Sequence, residues 1–185
     1  MRKPRADSLR NRVHLLEIAK AAFTQVGADV PLEEIARRAS VGIGTLYRHF
    51  PTRDALLAAV YQREVEQLAQ SADTLLASRR AGEALEAWLH LLVDYMATKR
   101  VIVPALQASV GEGTPVYAAT GATITDAMGR LVQAAIAAGD IRSDVGIDDV
   151  YRAMIGVSYG YEQPGWEPGA RRLISILMAG LKSQA

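Results

Sequence analysis

Apolar residues recur every three or four positions along most of the chain, which is the spacing of one face of an amphipathic helix. The first stripe is followed by Gly27, a residue typical of a helix C-terminus. Two short helices are predicted next, over about 32–39 and 43–50, and Pro51 ends the second. The first stripe consists of Leu9, Val13, Leu16, Ala19, Phe23 and Val26.

Longer helices are predicted in the rest of the chain. Thr52 is placed as an N-cap, and Thr114 with Pro115 is the pairing expected at the start of another helix. Pro104 interrupts an apolar segment, so we expect a helix start or a kink there. Because no strand-like alternation extends beyond a few residues, the pattern predicts an all-α fold of about nine helices. The predicted ranges are 52–78, 83–97, 115–138, 147–160 and 168–182.

Composition and charge narrow the function. Half of the 185 residues are hydrophobic and none is cysteine, which favours a helical globular protein without disulfides or thiolate metal sites. No apolar run is long enough for a membrane span or a signal peptide, so we expect a cytoplasmic protein without a membrane partner. Residues 1–63 hold 11 Lys and Arg against 6 Asp and Glu, while the remainder holds 10 against 14. This uneven distribution of charge favours a basic nucleic-acid-binding head (the N-terminal region) joined to a body (the rest of the chain) with another function.

Residues 32–50 have the pattern of a helix-turn-helix, in which two short helices cross steeply. Small Ala36 permits close approach at the crossing, and Leu46 and Phe50 anchor the second helix. The outer face of that helix offers a hydroxyl, a phenol, a guanidinium and an imidazole, groups that bind phosphates and base edges. This face consists of Ile43, Gly44, Thr45, Tyr47, Arg48 and His49.

Gly42 and Gly44 are unusual in a helix, where each glycine costs about 1 kcal/mol relative to alanine. One explanation is a close approach of the backbone to DNA, with free N–H groups facing a phosphate and Ile43 or Thr45 touching a thymine methyl. The other explanation is that Gly42 is simply the N-cap and Gly44 relieves crowding in the turn. The residues alone leave both open.

The segment VGIGTLYRHFPTRDALL, residues 41–57, resembles the signature of the tetracycline-repressor (TetR) family of regulators. The resemblance extends back through EEIARRAS to the first helix. It implies a helix-turn-helix DNA-binding domain over 1–53 and a helical ligand-binding and dimerisation domain over 54–185.

The resemblance also implies roles for single residues. Tyr47 and His49 would bind phosphates, and Thr45 with its neighbours would enter the major groove. Arg53 would hold backbone phosphate, and Arg48 would reach a base or a phosphate. The predicted DNA-binding set is Arg5, Gly42, Ile43, Gly44, Thr45, Tyr47, Arg48, His49 and Arg53.

Two positions depart from the family pattern. Ser40 stands where the family usually has glycine in the turn, so it must adopt a positive φ under strain or use a different turn. Pro31 stands where the family often has a hydroxyl N-cap, so we expect that cap to be lost.

The basic N-terminal arm is a further candidate for DNA contact. Its charge runs into the first helix, which favours phosphate contact or entry into the minor groove. The alternative is a disordered, solvated tail. Its cations are Arg2, Lys3, Arg5, Arg10 and Arg12.

The body is where the family would bind a small-molecule effector. Apolar and aromatic residues at helical spacing could line a cavity, although core packing explains such a stripe as well. Since no charged cluster accompanies them, we expect a mostly apolar ligand. The candidates are Trp88, Leu92, Tyr95, Met96, Leu106, Tyr117, Ile124, Met128, Met154 and Tyr159.

A homodimer is expected because two recognition helices on a palindrome multiply the discrimination of one. In the family the last two helices form the interface, and the alternative is that they only cap the monomer core. The predicted interface residues are Tyr151, Ile155, Gly156, Ser158, Tyr159, Leu173, Ile176, Leu177 and Gly180. A ligand that tilts the helix after Pro51 would then change the separation of the two heads.

An enzymatic function is not expected. The three histidines are scattered, and no metal, nucleophile or phosphate-loop motif occurs, so we expect no cofactor and no metal. The sequence therefore predicts a ligand-responsive DNA-binding regulator, most simply a repressor. The alternative is a helical module that regulates through a protein partner without specific DNA binding.

Overall fold

The protein is described by a computed structural model over residues 4–110, 115–159 and 165–183. These ranges contain eight helices and, apart from an isolated bridge between Ile141 and Lys182, no β-structure, which confirms the all-α prediction. Within them, no helix could span a lipid bilayer. The helices are α1 (Pro4–Val26), α2 (Leu32–Arg38), α3 (Ile43–His49), α4 (Arg53–Ser78), α5 (Ala81–Val110), α6 (Pro115–Ala137), α7 (Ile147–Ser158) and α8 (Trp166–Leu181).

Contacts between residues divide the chain into two units. The first contains residues 1–63 and 98–114, and the second contains residues 64–97 and 115–185. The domain boundary predicted between residues 53 and 54 stays a prediction.

The core of the first unit comes from α1, α2, α3 and the start of α4. The stripe predicted for α1 was only partly right, because Leu9, Val13 and Val26 are exposed whereas Leu15 and Ala22 are fully buried. The buried face of α1 is therefore formed by Leu15, Leu16, Ala19, Ala22 and Phe23. The buried side chains include Leu15, Leu16, Ala19, Phe23, Ile35, Leu46, Phe50, Leu56 and Leu57.

Helix α5 is longer than the sequence predicts. The helix expected over 83–97 begins at Ala81 and continues to Val110 with Pro104 inside it, so the helix start expected at that proline was wrong. Proline removes one backbone hydrogen bond, and the turns on both sides keep their own bonds.

Gly82 lies inside α5 rather than in a break, because Asp140 caps this helix end. The Asp140 carboxylate accepts hydrogen bonds from the Gly82 N–H at 2.9 Å and from Arg80 at 2.7 Å. A Cβ at Gly82 would stand 2.9 Å from the Asp140 Cβ, so only glycine admits this approach. Arg80 occupies the N-cap position, but its side chain cannot accept a hydrogen bond from a helix N–H. Asp140 therefore supplies the side-chain cap.

The second unit packs around Trp88, which is fully buried and donates from Nε1 to the Leu68 carbonyl at 2.8 Å. Helices α7 and α8 lie against each other at the end of the chain. At the start of α7 the Asp149 carboxylate accepts from the Gly146 N–H at 3.0 Å, so this carboxylate stabilises a helix N-terminus.

Candidate nucleic-acid interface

Helices α2 and α3 are joined by a tight turn with Ser40 in the left-handed region, at φ 54°. The Ser40 N–H donates to the Arg37 carbonyl at 3.1 Å, and the Val41 N–H donates to the Ala36 carbonyl at 3.0 Å. This pair of bonds is the Schellman arrangement that usually employs glycine. Of the two alternatives for Ser40, the positive φ is the one observed, and the missing side-chain cap at Pro31 is confirmed.

Helix α3 separates a buried side from an outer side. Leu46 and Phe50 are at most 1% exposed and anchor the helix in the core. Tyr47 is 43% exposed and Arg48 is exposed too, whereas His49 is half-buried. Thr45 and Ile43 are also half-buried. The groups predicted to meet DNA therefore lie outside the core of the first unit.

Gly42 and Gly44 do not owe their small size to packing within the chain. Gly42 is the N-cap of α3, with φ −70° and ψ 145°, angles that any residue adopts. A Cβ added at either glycine would meet no atom within 4 Å. The proposed relief of crowding at Gly44 is thus contradicted, because there is nothing near it to crowd.

Arg53 is engaged inside the first unit. Its Nη1 donates to the Ala28 carbonyl at 2.8 Å and to the Val30 carbonyl at 2.7 Å, which ties the α1–α2 loop to the start of α4. Next to it, Thr52 Oγ1 accepts from the Ala55 N–H at 3.1 Å, as expected of an N-cap. The bonds of Arg53 give it a structural function that the sequence did not indicate.

Two further arginines join α1 to other helices of the first unit. Arg12 donates from Nη1 to the His49 carbonyl at 3.3 Å, and its Cζ lies 4.5 Å from the centroid of the Phe50 ring. Arg63 donates to the Val13 carbonyl at 3.1 Å and to the Glu17 carboxylate at 2.7 Å. The sequence indicates Arg12 only as part of the basic arm, because no local signal marks a partner 37 residues away.

The charged residues of α2 form a local cluster. Glu34 accepts from Arg37 and from Arg38, both at 2.8 Å, and these hydrogen bonds lower the pKa of Glu34 to about 2. The cluster therefore keeps its carboxylate ionised far below neutral pH.

Most of the N-terminal arm lies outside the described side chains. Residues 4–7 belong to α1, but the side chain of Arg5 lies outside the described residues, as do Arg2 and Lys3. Arg10 is exposed and Arg12 is half-buried.

The candidate effector residues occupy different environments. Trp88, Leu92, Tyr95, Met128 and Met154 are buried in the second unit, and Met96 and Ile124 are half-buried there. Leu106 is buried but belongs to the first unit, and the Tyr117 side chain lies outside the described residues. Tyr159 is 91% exposed, so its placement in an internal cavity of this chain was wrong.

Two depressions in the second unit are lined by other residues. One, of about 560 Å³, lies beside Arg80, Asp140 and Met178. The other, of about 640 Å³, lies beside Leu75 and Arg171. In the part of the chain with described side chains, no three His, Asp or Glu residues are grouped as metal ligands would be.

The outer sides of α7 and α8 carry large exposed apolar residues. Tyr151 and Ile155 lie four positions apart on α7, and Tyr159 follows at its C-cap. Leu173 and Ile176, the latter 68% exposed, lie on α8. Space is open above Gly156 and Gly180, and Leu177 is half-buried. The Ser158 hydroxyl donates back to the Ile155 carbonyl at 2.8 Å. The interface candidates therefore form a solvent-facing apolar surface on two adjacent helices.

Comparison with family models gives two matches along the chain. Residues 15–60 match the model described as bacterial regulatory proteins of the tetR family. Residues 80–183 match the model described as the C-terminal domain of SbtR-like transcriptional regulators. Neither match supports the alternative of a protein-interaction module.

Comparison with solved structures extends the similarity to nearly the whole chain. The TetR transcriptional regulator SCO0520 from Streptomyces coelicolor is 40% identical, with 94% of this chain and 99% of that chain covered and a TM-score of 0.85. A TetR regulatory protein from Mycobacterium vanbaalenii is 36% identical, with 97% and 99% covered and a TM-score of 0.79.

Among curated relatives, the HTH-type transcriptional regulator SAB2452 of Staphylococcus aureus is 37% identical over 62 residues. That alignment covers 33% of this chain and 34% of the relative, so the chain matches only a third of that regulator's length.

Proposed function

Since the chain belongs to the TetR family of transcriptional regulators, we propose that it is a cytoplasmic repressor that binds operator DNA as a homodimer. A small molecule that binds the second unit releases it from the operator. The observation that carries this proposal is the outer side of α3, which presents hydrogen-bond donors beside two glycines that the protein's own packing does not require.

The recognition helix is α3. Thr45 and Ile43 meet base edges in the major groove, while Tyr47 and His49 donate to phosphates. Open space above Gly42 and Gly44 supports a close approach of the DNA backbone, because a Cβ at either position would project away from the protein. Arg48 reaches a base or a phosphate, and Arg5, in the first turn of α1, contacts phosphate.

The homodimer forms through α7 and α8. Their exposed apolar side chains, such as Ile155 and Ile176, are stabilised when a second copy covers them, and Gly156 and Gly180 permit close packing. A two-fold axis at this surface gives two copies of α3, which suits a palindromic operator with half-sites about one helical turn, 34–36 Å, apart.

The effector is a mostly apolar molecule. The buried residues Trp88, Leu92, Tyr95, Met128 and Met154 offer an apolar environment in the second unit, and a ligand among them requires that they move apart. Regulation rather than catalysis is proposed, because both matching family models describe regulators.

Footprinting on the DNA that flanks the gene tests this proposal. We expect salt-sensitive protection of a palindrome by the wild-type chain and weaker protection by Tyr47→Phe, which removes one phosphate donor per subunit. Ser78→Ala is the control, because it removes an exposed hydroxyl of the second unit that belongs to neither the proposed DNA-binding face nor the proposed dimer surface. Absence of protection at low salt would refute DNA binding, and protection of a single half-site would refute the dimer.

A further inference from the structure

We propose that Arg12 is a positioning residue for the recognition helix. It holds the C-terminal end of α3 from within the first unit and does not itself bind phosphate. The inference rests on the proposed DNA binding and assigns to Arg12 a function different from that of the basic arm around it.

The first contact is with an orphan carbonyl. His49 is the last residue of α3, so its carbonyl has no partner in the helix, and Arg12 donates to it from Nη1 at 3.3 Å. A cation beside the final carbonyls also interacts favourably with the negative end of the helix dipole. A hydrogen bond of this length constrains α3 only loosely.

The second contact supplies the orientation. The Arg12 Cζ lies 4.5 Å from the centroid of the Phe50 ring, within the range of a cation–π interaction. Phe50 is 1% exposed, and its N–H donates to the Leu46 carbonyl at 2.8 Å. The ring is therefore fixed in the core, and the guanidinium stacked on it joins α1 to the end of α3.

The two contacts are to consecutive residues, His49 and Phe50, and together they fix where α3 ends. A helix of seven residues is unstable alone and takes its direction from its packing. Since the His49 side chain is a proposed phosphate ligand, a shift at this end moves both the phosphate contact and the residues that meet bases. Half-buried Arg12 thus differs from exposed Arg10, two positions earlier on α1.

The test compares operator and non-specific DNA over a series of salt concentrations. Arg12→Gln removes both contacts, Arg12→Lys keeps the charge without the planar fork, and Arg10→Gln removes the same charge from an exposed position. For Arg12→Gln we expect operator affinity to fall about tenfold or more while non-specific affinity stays within about twofold. The slope of log affinity against log salt should stay that of the wild type, because no lysine or arginine that neutralises a phosphate is lost.

Arg12→Lys should lose operator discrimination as well, because an ammonium does not reproduce a stacked guanidinium. If Arg12 instead bound phosphate, both affinities would fall together in Arg12→Gln and Arg12→Lys would restore them. The salt slope of the Arg12→Gln dimer would then decrease by about 1.8, which is 0.9 for each arginine lost. Either result overturns the proposal.

Unfolding curves and the active fraction from stoichiometric titration separate positioning from stability. A reduced active fraction in both Arg12 variants would overturn the proposal, because the residue would then only keep the unit folded. If the wild type binds no DNA, the proposed function itself fails. If it binds and Arg12→Gln keeps full discrimination, only this inference fails.

Discussion

Arg48 donates from Nη2 to the hydroxyl oxygen of Thr45 at 3.1 Å on the outer side of α3. Its Nε also donates to the Gly44 carbonyl at 3.1 Å, so the guanidinium lies along its own helix. Because Thr45 Oγ1 accepts this hydrogen bond, its own hydrogen can be donated to a base. The two side chains therefore form one hydrogen-bonded surface on the outer side of α3.

This pair should be coupled in base recognition. Thr45→Ala should alter the preference among operator variants, because it removes both the donor and the acceptor that holds Arg48. A double-mutant cycle compares Thr45→Ala and Arg48→Ala with the double variant. It should give a coupling of about 0.5–3 kcal/mol in binding free energy. Binding constants for single-base-pair operator variants measure both. Additive effects with unchanged base preference would show that neither residue depends on the other and that Thr45 does not read a base.

Gly44→Ala should separate folding from DNA binding. The added Cβ meets nothing within 4 Å, so unfolding free energy should stay the same or rise by up to about 1 kcal/mol. Operator affinity should fall, since the methyl group would stand where we propose that the DNA backbone approaches.

Gly121→Ala in α6 is the matched control, because its Cβ also meets open space within a helix. It should leave DNA binding unchanged. Full operator affinity in Gly44→Ala would argue against a close approach at this position.

Arg53→Ala should lower the stability of the first unit. It removes the donor for two backbone carbonyls, those of Ala28 and Val30, at a cost of about 1–3 kcal/mol in unfolding free energy. Denaturant-induced unfolding, monitored by a signal from the first unit, measures this loss of unfolding free energy. The phosphate role predicted for Arg53 makes a different prediction, namely unchanged stability with a reduced salt slope for DNA binding.

Asp140 should make the second unit sensitive to acid. The Gly82 N–H and the Arg80 guanidinium lower the pKa of Asp140 below its usual 3.8. A carboxyl whose pKa is lower folded than unfolded stabilises the fold above the unfolded pKa, and this stability is lost as pH falls through the folded value. The denaturant concentration at the midpoint of unfolding should therefore decrease in the wild type when the pH falls below about 4.

Asp140→Asn should reduce stability near neutral pH and remove part of this acid dependence. The control is Asp126→Asn, which removes an exposed carboxylate of α6 and should follow the wild-type curve. The difference in stability between the wild type and Asp140→Asn at each pH isolates the contribution of Asp140 from that of Glu34, whose pKa is also lowered. A difference that does not change between pH 7 and pH 3 would contradict a charge-based cap.

Ile176→Asp should convert the proposed dimer into a folded monomer, because it places a charge in the apolar surface of α8. Light scattering after size exclusion measures the mass, and circular dichroism checks the helix content. Val26→Asp is the control, since Val26 is a similarly exposed aliphatic residue on α1 and should leave the mass unchanged. If Ile176→Asp remained a dimer, the proposal that α8 forms the interface would be wrong.

The sequence by itself determined the features that depend on neighbouring residues. Helical periodicity identified the helices and their type, since a residue and those three or four positions away share a face. The family pattern gave the positive φ of Ser40 as one of two alternatives, and the apolar residues Leu46 and Phe50, four positions apart, predicted which side of α3 is buried. The resemblance carried by residues 41–57 pointed to the family that comparison of the whole chain then established.

The tertiary structure decided the contacts between residues far apart in sequence. Arg12 with Phe50, Arg53 with Ala28 and Asp140 with Gly82 are pairs that no local pattern reveals, because periodicity records only which face is apolar. The helix predicted to begin at residue 83 also includes Gly82, whose N–H is capped by Asp140. Arginines that resemble phosphate ligands in a sequence acquire internal partners only when the chain folds and brings backbone carbonyls within reach.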